Sequence, residues 1–340
     1  MSEQTENVKE RGLLTVSPSP HIRGNATTRS VMADVLLALT PAAAWGVFVF
    51  GVRVITVIFV SVVSSVLFEL LYQKLMKKRV MIGDLSAAVT GLLIALNMPA
   101  AIPLWIPVVG SAFAIILCKQ LFGGLGKNFI NPAMAARVFL FSCWPTDMNT
   151  YSKPFVRLGL FASPAISADV AASATPLADM TVAEGTPLLD LFFGNTAGCI
   201  GEVSALLLLV GGLYLIVRRT ITWHTPVAFI ATVAVICALF HPSTTTDILD
   251  YLIRNVLSGG VMLGAIYMAT DYVTAPVTSS GKLIYGFGCG VITMFIRAYG
   301  SYPEGVSFAI LIMNLLVWYI DKFTRPAVFG VRKERKQVNK

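Results

Sequence analysis

Ten apolar runs dominate this 340-residue sequence, and most are close to the length that crosses a bilayer. A spanning helix needs about 20 mainly apolar residues. The runs lie at 30–51, 54–74, 83–98, 102–120, 130–145, 196–217, 224–241, 248–270, 282–299 and 305–323. The third, fifth and seventh are short. Composition agrees with a chain solvated by lipid. It is 56% hydrophobic and only 13% charged, where a soluble domain carries about 25% charge. So little charge cannot cover a soluble surface, which excludes disorder, a disulfide scaffold and an ordinary cytosolic enzyme. The expected fold is an all-α polytopic membrane protein.

Basic residues set its orientation. With the N-terminus in the cytoplasm, 20 Lys and Arg fall on the inner side, including Lys74, Lys77, Lys78, Arg79, Arg218 and Arg219. Only Arg53, Lys153 and Arg157 fall outside. Positive residues gather inside, so ten spans with both termini cytoplasmic satisfy the rule, and one span more or less would spoil it. The net charge of +8 therefore reads as topology and not as a nucleic-acid footprint. The polar first 30 residues lack the apolar core of a cleavable signal, so the first span is expected to direct insertion.

The segments are 1–29, a cytoplasmic N-terminal stretch; 30–145, five spans; 146–195, a long outer loop; 196–323, five more spans; and 324–340, a basic cytoplasmic tail. Five is odd, so two similar halves would lie in opposite orientations. A trace of such a repeat is present. Gly91 opens Gly-Leu-Leu-Ile-Ala-Leu and Gly264 opens Gly-Ala-Ile-Tyr-Met-Ala; 40 residues after each come Asn131-Pro132 and Glu304-Gly305, each opening an apolar helix. Inverted repeats carry functional sites near their interface.

Ionisable residues inside spans are costly and are candidates for function. They include Asp34, Glu69, Asp84, Arg137, Glu202, Asp250, Arg254 and Asp271. Asp250 and Arg254 are four apart on a helix and suited to neutralise each other. Glu69 and Asp84 are expected near the inner interface, within reach of water. Asp271 follows Ala269-Thr270 where a span ends, and Pro276 lies just beyond; a broken helix beside a carboxylate suits an ion or cofactor site. Gly123-Gly124-Leu125-Gly126-Lys127-Asn128 lacks the spacing and Lys-Ser/Thr ending of a nucleotide-hydrolysing loop. It is either a closely packed break or a set of backbone amides at a helix start. Cys118, Cys143, Cys199, Cys237 and Cys289 have no metal-ligand spacing. His21, His224 and His241 form no zinc motif, and no nucleophile elbow occurs. No metal site is expected. On these residues alone, an electron-transfer component, a channel or secondary transporter for a small polar solute, and a scaffold all remain open.

Several segments together carry a resemblance. They are Ser19-Pro20-His21-Ile22, the Gly123–Asn128 loop with Asn131-Pro132-Ala133, Ala269-Thr270-Asp271, and Tyr302-Pro303-Glu304-Gly305-Val306 with Phe308 to Leu311 and Asn314. The chain resembles the RnfD/NqrB family. RnfD belongs to the Rnf ion-translocating oxidoreductase, and its relative NqrB to the sodium-pumping NADH:quinone oxidoreductase. The resemblance covers nearly the whole chain. That family uses the motif Asp-x-x-(Ser/Thr)-Gly-Ala-Thr, whose last Thr takes FMN through a phosphoester bond. Asp169-Val170-Ala171-Ala172-Ser173-Ala174-Thr175 keeps the Asp, the Ala and the Thr, with Ala172 and Ser173 standing where Ser/Thr and Gly are usual. Ala269-Thr270 lacks the upstream Asp. The resemblance thus implies covalent FMN on Thr175, with Asp169 as part of the flavinylation motif and a flavin transferase to attach it. It also implies other integral, flavoprotein and iron–sulfur subunits as partners. The complex would pass electrons between ferredoxin and NAD and move Na⁺ or H⁺ across a bacterial or archaeal inner membrane. Asp271 becomes a candidate for the ion or cofactor pathway, with room for an additional, non-covalent flavin.

Overall fold

The computed structural model describes residues 27–156, 159–160, 172–173, 187–240, 248–300 and 304–326. Helices make up nearly all of it. In chain order they are α1 (Thr28–Phe50), α2 (Arg53–Leu75), α3 (Ser86–Leu96), α4 (Trp105–Gln120), α5 (Pro132–Cys143) and α6 (Pro145–Asn149). After the long loop come α7 (Leu188–Phe193), α8 (Ala205–Val217), α9 (His224–Leu239), α10 (Ile248–Leu257), α11 (Val261–Met268), α12 (Ser279–Tyr299) and α13 (Val306–Thr324). The loop contributes one short antiparallel pair, β1 (Tyr151–Ser152) with β2 (Ala172–Ser173).

Four helices, α1, α2, α12 and α13, are long and apolar enough to cross a membrane alone. A fifth span results if α10 and α11 count as one. The sequence suggests one continuous span over 248–270. Instead the helix bends by 60° between Leu257 and Val261. Gly259 at the bend has φ +68°, a conformation that side chains resist. The run 196–217 is likewise helical only from Ala205, where Ser204 accepts from the Leu207 amide at 3.4 Å. Its first part is tied to the loop after α3: the Ile200 and Gly201 amides donate to Met98 and Leu96 carbonyls at 3.0 and 2.8 Å. The other apolar helices, α3, α4, α5, α8 and α9, are shorter than a full span.

Small residues set the packing. The two glycines of the sequence repeat both mark close approaches. A Cβ on Gly91 would lie 2.8 Å from the Ser61 carbonyl oxygen of α2, and one on Gly264 would collide with Val306. Gly211 brings α8 against α1, where a Cβ would strike the Ala38 carbonyl. Membrane helices associate through such contacts because lipid supplies no hydrophobic drive. Large side chains on the outer faces, such as Phe48, Phe59 and Phe295, are exposed, as expected of a lipid-facing surface.

α4 and α11 end in π-helical turns, Phe113–Gln120 and Gly264–Met268. Such turns concentrate at functional sites. Both lead toward the end of the bundle opposite the long loop.

Candidate functional site

The start of α5 and the ends of α4 and α11 converge on one cavity. Asn131 caps α5, accepting from the Ala133 and Met134 amides at 3.0 and 3.3 Å. Pro132 at the first helical position needs no partner for a missing N–H. Asn131 also donates from Nδ2 to the Met268 carbonyl at 3.1 Å, so one residue ties the start of α5 to the end of α11. Asn314 of α13 joins them. Its oxygen accepts from the Asn131 amide at 3.1 Å, and its nitrogen donates to Tyr285 Oη at 2.6 Å and Thr274 O at 3.2 Å.

The cavity has a volume of about 80 Å³, below the usual range for small-molecule sites of about 300–1,000 Å³. Val35, Val89, Leu93 and Leu215 form apolar wall, while Lys119, Asn128, Asn131, Thr270 and Asp271 supply polar groups. A second space of about 240 Å³ shares Thr270, Asp271 and Tyr272 and adds Arg219 and Lys282. The Asp271 carboxylate accepts from Thr274 Oγ1 at 3.0 Å. Burial pushes its carboxyl above the usual range, opposed by that hydroxyl and by the Val273 and Tyr272 amides.

The glycine-rich loop lines this cavity through Leu125 and Asn128. Gly123, Gly124 and Gly126 have φ of +114°, +92° and +88°. A Cβ on Gly126 would meet nothing within 4 Å, so positive φ, not close packing, is what requires glycine there.

Lys119 is pinned at the cavity edge. Its ammonium lies 2.9 Å from Glu69 and 2.6 Å from Ser86 Oγ, and Gln120 donates to the same Glu69 at 2.6 Å. Glu69 is 1% exposed. The expectation that Glu69 reaches water is thus corrected: it is the buried counter-ion of Lys119. Asp84 accepts from the Ser86 amide and hydroxyl at 2.9 and 2.7 Å. Asp250 and Arg254 do pair, at 2.5 Å. Asp34 accepts from Tyr214 at 3.1 Å and pairs with Arg218.

The other polar centre lies toward the long loop. Arg137 of α5 donates to Asn97 Oδ1, to Glu202 Oε1 at 2.6 Å and to Glu304. In the sequence Arg137 and Glu202 stand out only singly, and Glu304 only as a helix opener. Their partnership spans 65 and 167 residues, and no local signal reveals it. Four cysteines are buried and Cys143 is exposed.

Asp169 and Thr175 lie outside the described residues. The strand just before Thr175 is described: Ser173 pairs with Tyr151 and Ala172 with Ser152. Tyr151, 4% exposed, faces Glu304, Cys199 and Arg137. The Ala172–Ser173 strand is therefore tied, through β1, to the Arg137 cluster.

Comparison with known proteins places the chain. The NQR2, RnfD, RnfE family matches residues 15–330. The D subunit of the Na⁺-translocating ferredoxin:NAD⁺ oxidoreductase complex of Acetobacterium woodii is 47% identical over 329 residues, covering 95% of this chain and 98% of the relative. The D subunit of the proton-translocating ferredoxin:NAD⁺ oxidoreductase complex of Clostridium ljungdahlii is 39% identical over 335 residues, with 95% and 98% covered. The D subunit of the ion-translocating oxidoreductase complex of Halorhodospira halophila is 34% identical, with 92% and 94% covered. With matches of this length and identity, the chain belongs to the NQR2, RnfD, RnfE family.

Proposed function

We propose that this chain is the membrane flavoprotein subunit of a redox-driven, ion-translocating ferredoxin:NAD⁺ oxidoreductase. FMN is joined to Thr175 by a phosphoester bond, and Asp169 serves the transferase that attaches it. The observation that carries this reading is end-to-end kinship with the D subunits of such complexes in a chain that keeps Asp169 and Thr175 at motif spacing. A flavin supplies one- or two-electron transfer, and the protein positions it. The role of Thr175 is anchorage: it holds the group at the loop end and fixes its reach. Ion coupling, whether of Na⁺ or H⁺, and further integral, flavoprotein and iron–sulfur subunits follow from the same kinship.

The chain is read as ten spans in two inverted five-helix repeats, in a bacterial or archaeal inner membrane with both termini cytoplasmic. Support comes from register. Gly91 and Gly264 stand 173 residues apart, as do Asn131 and Glu304. At that offset α1 to α5 correspond to α8, α9, α11, α12 and α13. α1 packs on α8 and α5 on α13, the pairings expected about a two-fold axis.

The cavity at Asp271, together with the larger adjoining space that shares Thr270, Asp271 and Tyr272, is assigned to a second, non-covalent flavin. Its apolar walls suit a flat ring system, and Asn128, Asn131 and Thr270 offer both donors and acceptors to a ring edge. Asp271 would orient that edge or accept a cation moving past it. A channel for a small polar solute has less support, because the kinship is with subunits of redox complexes.

Flavin fluorescence of the denatured band tests the covalent site. Protein from a host with the transferase should fluoresce, Thr175→Ala should be dark, and Thr270→Ala should stay bright. A dark wild-type band, or fluorescence that follows Thr270, contradicts the assignment.

A further inference from the structure

The Arg137 cluster carries more than packing. Arg137 is 7% exposed and Glu202 6%. The Glu304 side chain is 10% exposed. One guanidinium therefore faces two carboxyl groups in a site closed to bulk water. Burying an ionised carboxylate is tolerated only where partners satisfy it.

Glu202 is only half satisfied. Its Oε1 accepts from Arg137 at 2.6 Å. Its Oε2 is buried and receives no hydrogen bond from a described N–H or O–H. Glu202, Glu304 and Cys199 each place a ligand atom within 4.8 Å of the others. An oxygen of each carboxyl group thus lies within 4.8 Å of one on the other. As two carboxylates neither can donate to the other; with one proton between them they bond.

The other charged or titratable groups facing the pair come from three elements. Tyr151 of β1 and the Cys199 thiol both lie against it. Arg297 of α12 donates to the carbonyls of Asn255 at 2.8 Å and Ser258 at 3.3 Å. It makes no salt bridge with either carboxyl among the described residues. Among those residues Arg137 is thus the one cation in contact with the pair. Its guanidinium also argues against a metal ion among Cys199, Glu202 and Glu304, since it already takes their lone pairs and repels a second cation.

Access exists. A narrow cleft between α5 and α13, with room for about one water molecule, is lined by Arg137, Val138, Phe141, Glu304, Ser307 and Phe308. It reaches the cluster without passing through the Asp271 cavity.

We propose that Glu202 and Glu304 share one exchangeable proton held against Arg137, making this cluster a proton-binding site at the loop end of the helix core. Loading forms one carboxyl O–H bond and brings the three charged side chains from net −1 to neutral. Release breaks that bond and returns the proton to the space between α5 and α13. The site does not depend on covalent FMN at Thr175.

Infrared spectroscopy and thermal melting of the purified complex test it together. Wild type should show a protonated-carboxyl C=O band that shifts in D₂O and is absent from both Glu202→Gln and Glu304→Gln. Each single variant mimics the protonated partner and leaves one carboxylate for Arg137, so each should assemble. The double variant strands Arg137 and should fail to accumulate or melt far earlier. The proposal is overturned if the band persists in the single variants. It is equally overturned if either single variant is lost as completely as the double, since that would mean both groups are needed ionised.

Discussion

The two polar centres of this bundle are built in opposite ways. Toward the long loop, Arg137, Asn97, Glu202 and Glu304 fill their space with charge and direct contacts. At the other end, Asn128, Asn131, Thr270 and Asp271 border an open cavity of about 80 Å³. Yet both sit where a half-helix stops: Asn97 follows α3, and Thr270 follows α11. At the offset of 173 that relates Gly91 to Gly264, Asn97 corresponds to Thr270 and Asn131 to Glu304. The same backbone device therefore serves two chemistries. Where the second group is charged, the break closes on an ion network suited to a proton. Where it is an amide, the break stays open to a ligand.

This contrast can be broken from either side. The largest effect should come from Arg137→Gln, which leaves two buried carboxyl groups and Asn97 without their donor. Removing one partner of a buried ionic pair costs about 3–5 kcal/mol, so a steep fall in thermal stability of the solubilised protein is expected. A melting temperature near wild type would mean that the cluster is only a loose contact.

Next comes Gly211→Val. Its side chain would collide with Tyr267 Oη and the Ala38 carbonyl. Overpacking of this kind costs about 1–3 kcal/mol. Tyr267 lines the Asp271 cavity, so the variant should also release non-covalent flavin on gel filtration while keeping the covalent flavin. Asn131→Ala should be milder. It removes a helix cap, worth about 0.5–2 kcal/mol, together with the bond to Met268. Retention of the non-covalent flavin should drop more than thermal stability does; equal and large losses of both would make Asn131 purely structural.

The smallest stability effect belongs to Asp271→Asn, and its sign is informative. Burial raises the folded carboxyl's pKa. Its contribution is then fully present below the unfolded value and is lost as pH rises through the folded one. At neutral pH the ionised Asp271 is a small burden. Asparagine should therefore leave the melting temperature unchanged or slightly higher at pH 7, and the difference should vanish in acid. Ion transport should fall nonetheless. A variant that melts lower at pH 7 would show that Asp271 is held by a stronger partner than Thr274.

Much of this architecture is legible in the sequence because it depends on neighbours. Apolar runs, the Asn131-Pro132 cap, the Asp250–Arg254 pair and the recurrence of Gly91 at Gly264 all follow from local spacing. The bend between Leu257 and Val261 has a local signal too, since Ser258-Gly259-Gly260 interrupts the run. Contacts between distant segments have none. Lys119 and Glu69 are 50 residues apart, and Arg137 and Glu304 are 167 apart; Glu69 and Arg137 read singly as costly charges in spans, and Glu304 only as a helix opener. The non-helical backbone before Ala205 is hidden for another reason. The Ile200 and Gly201 amides are satisfied by the carbonyls of Met98 and Leu96, which only tertiary structure supplies.

The most direct test of the functional reading is peptide mapping by mass spectrometry of protein isolated with its complex. The peptide containing Thr175 should carry the added mass of one phosphoester-linked FMN, with fragment ions placing it on that threonine and the Thr270 peptide unmodified. An unmodified Thr175 peptide in fully active complex would contradict the covalent flavin on which that reading rests.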